Sequence, residues 1–119
     1  MDTQLVGNDM AKVLDSMRID DVTPVEVGPG CYRRDLPSVA GVRVWVVDIS
    51  PGGEWPQVDQ HDAAGEYLYV VSGELIEGSL KFEAGTYIFF KPGSSHQPRS
   101  EKGVRLFGFN LTGVPSPDD

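Results

Sequence analysis

Cysteine is nearly missing from this sequence: Cys31 is the only one in 119 residues. That excludes an intrachain disulfide and any zinc site of paired thiolates such as CxxC, and leaves Cys31 as a semi-buried structural thiol. Positive charge is scarce as well. Ten Lys plus Arg stand against 18 Asp plus Glu, for a net charge of -8 and a pI near 4.6. A nucleic-acid backbone or an anionic membrane surface is repelled at long range by such a chain, so neither is expected as a partner. No stretch approaches the roughly 18 apolar residues of a membrane span, and the N-terminal MDTQLVGNDMAKVLDSM lacks the basic-then-apolar order of a signal peptide. A cytoplasmic location is expected. Long internal repeats are absent, and histidine occurs only twice, as His61 and His96.

What the chain does have is turn-formers: 14 Gly and 9 Pro beside 39% apolar residues. This composition suits many short strands joined by tight turns, in one domain large enough to bury a single core. Residues 1–22 read as an N-terminal segment in which Asn8 caps a short helix through Arg18, with Met10, Val13, Leu14 and Met17 on one face. From Thr23 the pattern is all-β through residue 112. TPVEV is an extended arm, VRVWVVDIS at 42–50 is a β-branched and aromatic strand ended by Pro51-Gly52-Gly53, and EYLYVVSGEL reads as two strands with a hairpin turn at Ser72-Gly73. ELIEG, SLKF, TYIFF, HQPRS and VRLFGFNL continue the series, and about eight short strands predict a sandwich or barrel. The tail at 113–119 is polar, proline-broken and expected to be disordered.

Within this pattern one constellation carries chemistry. Asp59 and His61 lie two apart and share a strand face, Glu66 follows a turn at the head of the next strand, and His96 comes just after Pro92-Gly93. Imidazole and carboxylate donors converging at about 2.0 to 2.3 Å suit Fe, Mn, Zn, Ni or Cu. A surface Asp-His pair and a loop histidine are also ordinary solvated residues, and Glu66, which precedes an apolar strand, would equally be satisfied by an arginine. If Glu66 points inward, so do Leu68 and Val70, while Trp45, Tyr87, Phe89, Phe107 and Phe109 lie on strands able to wall a barrel. Lys91, Arg99 and Arg105 read as surface charges, one of which could meet an anionic substrate.

The spacing resembles that of the cupins, small β-barrels with two sequence motifs. Gly53, five residues, Asp59, Gln60, His61, four residues, Glu66, six residues and Gly73 follow the first, G-x5-H-x-H-x(3,4)-E-x6-G, with Asp59 in the place of the first histidine. Gly85, Gly93 and His96 fall in register with the second, G-x5-P-x-G-x2-H-x3-N, where Lys91 takes the proline position and Ser100 the final asparagine. GEYLYVVSGEL and AGTYIFFKPGSSHQPRS are similar to the ChrR-type subgroup. The resemblance implies a double-stranded β-helix, or jelly-roll barrel, with a short N-terminal helix or arm. It also implies His61, Glu66 and His96 as metal ligands and Asp59 in the fourth slot, unless Gln57 or Gln60 reaches instead.

Two imidazoles and two carboxylates neutralise a divalent ion and favour Fe(II), Zn, Mn or Ni over Cu(I). The resemblance implies, as the leading expectation, a metal-dependent enzyme, an oxygenase or polyketide cyclase, acting on a small aromatic or β-dicarbonyl molecule. In it the metal serves as Lewis acid or O2-activating centre, and Glu66 or Asp59 as proton acceptor. The rival is a non-catalytic sensor or ligand-binding module of the anti-sigma type. By resemblance the chain is a homodimer, with the arm at Thr23 to Val27 adding a strand to its mate and Trp55, Tyr67 and Tyr69 available for the dimer surface.

Overall fold

The computed structural model describes residues 7–60 and 64–112, and the side chains within them other than those of residues 7, 8 and 60. The architecture is all-β. The strands are β1 (Val25–Gly28), β2 (Cys31–Leu36), β3 (Val42–Ile49), β4 (Asp59–Gln60), β5 (Glu66–Glu77), β6 (Leu80–Glu83), β7 (Tyr87–Phe90), β8 (Ser95–His96) and β9 (Val104–Leu111). One antiparallel sheet runs β1-β2-β3-β9-β5-β6 with β7 also on β5, and β4 pairs with β8 in a separate ladder. Among the described residues no helix is long and apolar enough to cross a membrane.

Alternation along the strands builds the core. Trp45, Val47 and Ile49 on β3, Leu68 and Val70 on β5, and Leu106 and Val104 on β9 all point inward and are buried with Cys31 and Leu75. The Cys31 thiol donates to the Glu54 carbonyl, and burial pushes its pKa up, as befits a structural cysteine. On the opposite face Tyr69, Val71, Tyr87, Phe89 and Phe107 are exposed. Tyr67 lies on that side too, stacked on Phe109 at 4.5 Å and close to Phe89 at 4.8 Å. Of the aromatics expected to wall the barrel, only Trp45 therefore faces inward, because the others sit at strand positions of the outward parity.

An arginine pair fastens the N-terminal segment to the sheet. Asp48 on β3 accepts hydrogen bonds from Arg105 on β9 at 2.7 and 3.1 Å and from Arg34 on β2. Arg105 also reaches Asp20 at 2.8 Å, and Arg34 donates to the Val22 carbonyl at 2.9 Å. The guanidinium of Arg105 holds the Asp20 carboxyl below its ordinary pKa.

Two sequence expectations need correction. The helix expected from Asn8 through Arg18 is a 3-10 helix over Gly7–Lys12 only. Val13, Leu14 and Met17 remain exposed, so the apolar face has little to pack against, and an unsupported helix this short is marginal in water. The arm expected at 23–27 is extended as β1 at the edge of the sheet, paired with β2 with Val25 opposite Arg33.

The second is the hairpin turn at Ser72-Gly73, which does not exist. β5 passes straight through it, with a register shift between Val70 and Ser72 in its pairing with β9 and a positive φ of 80° at Gly73. There the strand leaves β9 and goes on to pair with β6. A Cβ on residue 73 would sit 2.0 Å from the Gly103 carbonyl oxygen, so the crossing requires glycine.

Gly73→Ala is therefore expected to destabilise by more than the roughly 1 to 3 kcal/mol of left-handed strain alone. Gly78→Ala, where the added Cβ meets nothing within 4 Å, should cost about 1 kcal/mol. Urea unfolding of the two variants checks this, and equal losses would remove the crossing from the account.

Candidate metal centre

The two-stranded ladder exists to put two ligand-type residues opposite each other. A turn in which Ser94 N–H donates to the Lys91 carbonyl delivers β8 to β4, and the register then pairs Asp59 with His96 directly. Glu66 arrives from the head of β5. Gly65 before it has φ +72°, and a Cβ there would lie 2.3 Å from the Phe90 carbonyl oxygen, so the chain turns into the site against β7 only because residue 65 has no side chain.

The three side chains meet around one imidazole. Nε2 of His96 lies 3.4 Å from Asp59 Oδ2 and 3.5 Å from Glu66 Oε1, and the three donor atoms are all within 4.8 Å of one another. Two ligands held about 2.1 Å from a common ion at 90 to 110° are themselves about 3.0 to 3.4 Å apart, so His96 stands near that spacing from each of the two carboxylates. On the far side of the ring, Nδ1 donates to Glu77 Oε2 at 2.5 Å. Such a carboxylate fixes the tautomer and aims Nε2 at the cation position. Phe90 stacks on the ring at 3.9 Å and completes its clamp.

Exposure differs sharply across the set: the side chains of His96 and Glu66 are 7% and 10% exposed, that of Asp59 39%. Burial by itself lowers the pKa of His96, but its hydrogen bonds to Asp59, Glu66 and Glu77 outweigh that and push the pKa up to about 11. Without a metal the imidazolium thus supplies the positive charge that these carboxylates require.

Of the residues singled out from sequence, Asp59, Glu66 and His96 are brought together, whereas His61 lies outside the described residues. Beside them opens a cavity of about 340 Å³ whose walls include Trp45, Trp55, Leu68 and Leu106. Trp55, considered for a dimer surface, is packed against the core and faces this cavity. Gln57 lines it as well. Arg99 and Arg105, as expected of surface charges, pair with Glu101 and with Asp48 and Asp20. The guanidinium groups on the cavity are instead Arg33 and Arg43, which no sequence motif marks. Glu77 was also missed, because a turn at Ser72-Gly73 would have placed it on another strand.

The family model for the ChrR cupin-like domain matches residues 14–112. Curated protein sequences give no significant match. Among solved structures, a predicted oxalate decarboxylase from Thermotoga maritima superposes with a TM-score of 0.70 at 17% identity, over 82% of this chain and 98% of that one. The polyketide cyclase RemF from Streptomyces resistomycificus gives 0.70 at 16% identity, over 88% and 82%. A chain in the complex of Rhodobacter sphaeroides SigE with the anti-sigma ChrR gives 0.70 at 21% identity, over 78% of this chain and 50% of that one. At these identities the likeness establishes the cupin fold.

The raised pKa of His96 sets a pH dependence. Its contribution to the stability of metal-free protein is complete below the ordinary value of 6.5 and is lost as pH rises towards about 11. Thermal melts of chelator-treated protein should therefore fall across that window, and Glu77→Gln should flatten the slope. Saturating divalent metal should flatten it too, since the ion displaces the proton. A melting temperature independent of pH from 6.5 upward in metal-free protein would contradict this picture.

Proposed function

The chain belongs to the ChrR cupin-like domain family, and we propose that it is a metal-dependent enzyme acting on a small aromatic or β-dicarbonyl compound, as an oxygenase or a cyclase. The observation that carries this reading is the convergence of Asp59, Glu66 and His96 on the wall of a cavity that both tryptophans of the chain help to line. Its volume, about 340 Å³, lies at the small-ligand end of the range for binding pockets. The polyketide cyclase among the structural neighbours supports the ligand class.

In this reading Glu66 and His96 hold the cation, with His61 joining them on the grounds of its sequence spacing. A divalent ion bound there would supply Lewis acidity to an enolisable oxygen pair and, as Fe(II), reactivity towards O2. The chain's own residues do the rest. Trp45 and Leu68 offer apolar surface to the substrate and keep bulk water from its carbon skeleton. Asp59, the most solvent-open member of the set, accepts the proton from the carbon between the two carbonyls and can pass it to water. Glu77 keeps the His96 ring from turning.

The test is to load purified protein with Fe(II), Mn(II), Zn(II) or Ni(II), then follow O2 uptake and products with a panel of 1,3-diketones and polyketide-like phenols. Wild type should retain an ion by elemental analysis and turn over at least one panel member. His96→Ala should lose both the ion and turnover, whereas Asp59→Asn at saturating metal should keep the ion and lose about 10²- to 10⁴-fold in rate. Silence with all four metals across the panel would reject the enzyme in favour of a metal-binding sensor of the anti-sigma type.

We also propose a homodimer, formed through the outward face of β5, β7 and β9. There Tyr69 stands opposite both Tyr87 and Phe107, and all three are exposed alongside Phe89. A contiguous aromatic patch of this kind marks an association surface. Light scattering on wild type should give twice the chain mass, and Tyr87→Lys with Phe107→Lys should give single chains. A monomeric wild type would remove this part of the proposal.

A further inference from the structure

Beside Glu66, one wall of the cavity carries polar side chains that the metal site does not use. On β3 and β9 Arg43 stands opposite Asn110, and Tyr67 on β5 pairs with Phe109, so Glu66 stands one residue further on, beside Asn110. Glu66, Asn110 and Arg43 all line the cavity. With neighbouring strands about 4.8 Å apart, the backbone carrying Arg43 is about 10 Å across the sheet from that carrying Glu66. Asn110 lies between them.

The chemistry of these side chains is specific. Asn110 Oδ1 accepts from Trp45 Nε1 at 2.9 Å, which fixes the amide so that its NH2 is the group left to donate. Arg43 differs from the arginines around it. Arg33 is paired with Asp35 at 3.0 Å, Arg34 and Arg105 with Asp48, and Arg99 with Glu101, whereas Arg43 makes no ion pair among the described residues. Arg43 is exposed and lines the cavity, so its guanidinium is open to an anion that enters.

We propose that Arg43, with the amide of Asn110, forms an anion subsite, and that the ligand of this cavity is a dicarbonyl compound bearing a carboxylate. This rests on the function proposed above and narrows it. The oxygen pair of the ligand lies at Asp59, Glu66 and His96, and its carboxylate takes a forked pair of hydrogen bonds from Arg43. Arg43 then sets specificity and orientation, and takes no part in proton transfer.

Acetylacetone and acetylpyruvate offer the same 1,3-dicarbonyl unit without and with a carboxylate, and both tryptophans of the chain, Trp45 and Trp55, line the cavity. Tryptophan emission of Zn(II)-loaded full-length protein, corrected for probe absorbance, therefore reads binding without turnover. Acetylpyruvate is expected to bind at least about 10-fold more tightly than acetylacetone, as for other charge-assisted pairs. Arg43→Gln should erase that preference while leaving acetylacetone affinity and zinc content unchanged, and Arg43→Lys should restore part of it.

Equal affinity for the two probes in wild type, or a preference that survives Arg43→Gln, overturns the subsite and leaves the dicarbonyl reading standing. Zinc-loaded wild type that binds neither probe overturns the dicarbonyl reading, and the subsite with it.

Discussion

Three carboxylates crowd one imidazole in this barrel, and the balance of their charges governs what the molecule can do. Asp59, Glu66 and Glu77 all lie within 3.5 Å of a ring nitrogen of His96, and both Glu66 and Glu77 are nine-tenths buried at the side chain. Buried anions at this density are tolerable only beside a positive charge. Either a proton on His96 or a divalent cation at Nε2 provides it, and the two compete for the same lone pair. A cation bound at Nε2 would therefore be linked to the protonation of His96 and to the stability of the fold.

A small irregularity in β5 makes the cluster possible. Side chains on a regular strand alternate between faces, so Glu66 and Glu77, eleven positions apart, would point to opposite sides. The register shift between Val70 and Ser72 adds one residue to the strand and changes the parity: Glu66, Leu68 and Val70 face inward before it, Leu75 and Glu77 after it. Gly73, in a backbone conformation closed to other residues, carries the strand over Gly103 at the same place. One strand thereby supplies both a ligand-type carboxylate and the carboxylate that orients the histidine.

That irregularity also marks where the sequence stops being readable. The all-β architecture and the inward set Glu66, Leu68 and Val70 were legible because they depend on local alternation and turn residues, whereas the meeting of Asp59 with His96 was expected chiefly from the resemblance to the cupin motifs. Glu77 was not, since Ser-Gly at 72–73 has the same composition whether it turns a hairpin or bends a strand, and only pairing with β9 and then β6 decides between them. The faces of Tyr87, Phe89 and Phe107 were not legible for a related reason: aromatic content says that a residue belongs in a sheet but not which face it takes. Arg43 left no trace at all, being a lone arginine whose meaning comes from its registry with Asn110 on a strand 67 positions further along.

Exposure around the centre bears on whether it is a structural clasp or a working site. A structural ion is enclosed on every side by protein ligands, whereas a catalytic one keeps a face for an exchangeable partner. Here His96 and Glu66 are buried, the Asp59 side chain is 39% exposed, and the cavity adjoins all three. Protection is thus concentrated on the residues that must hold still, and openness on the one able to trade protons with solvent. The clamp of Glu77 and Phe90 on His96 belongs to the same division of labour, because a ligand exchanging on the open side can leave the geometry intact only if the closed side is rigid. Asp59 stands where the cupin motif has histidine, and as a carboxylate on the open side of the set it has the chemistry both to ligate and to carry a proton.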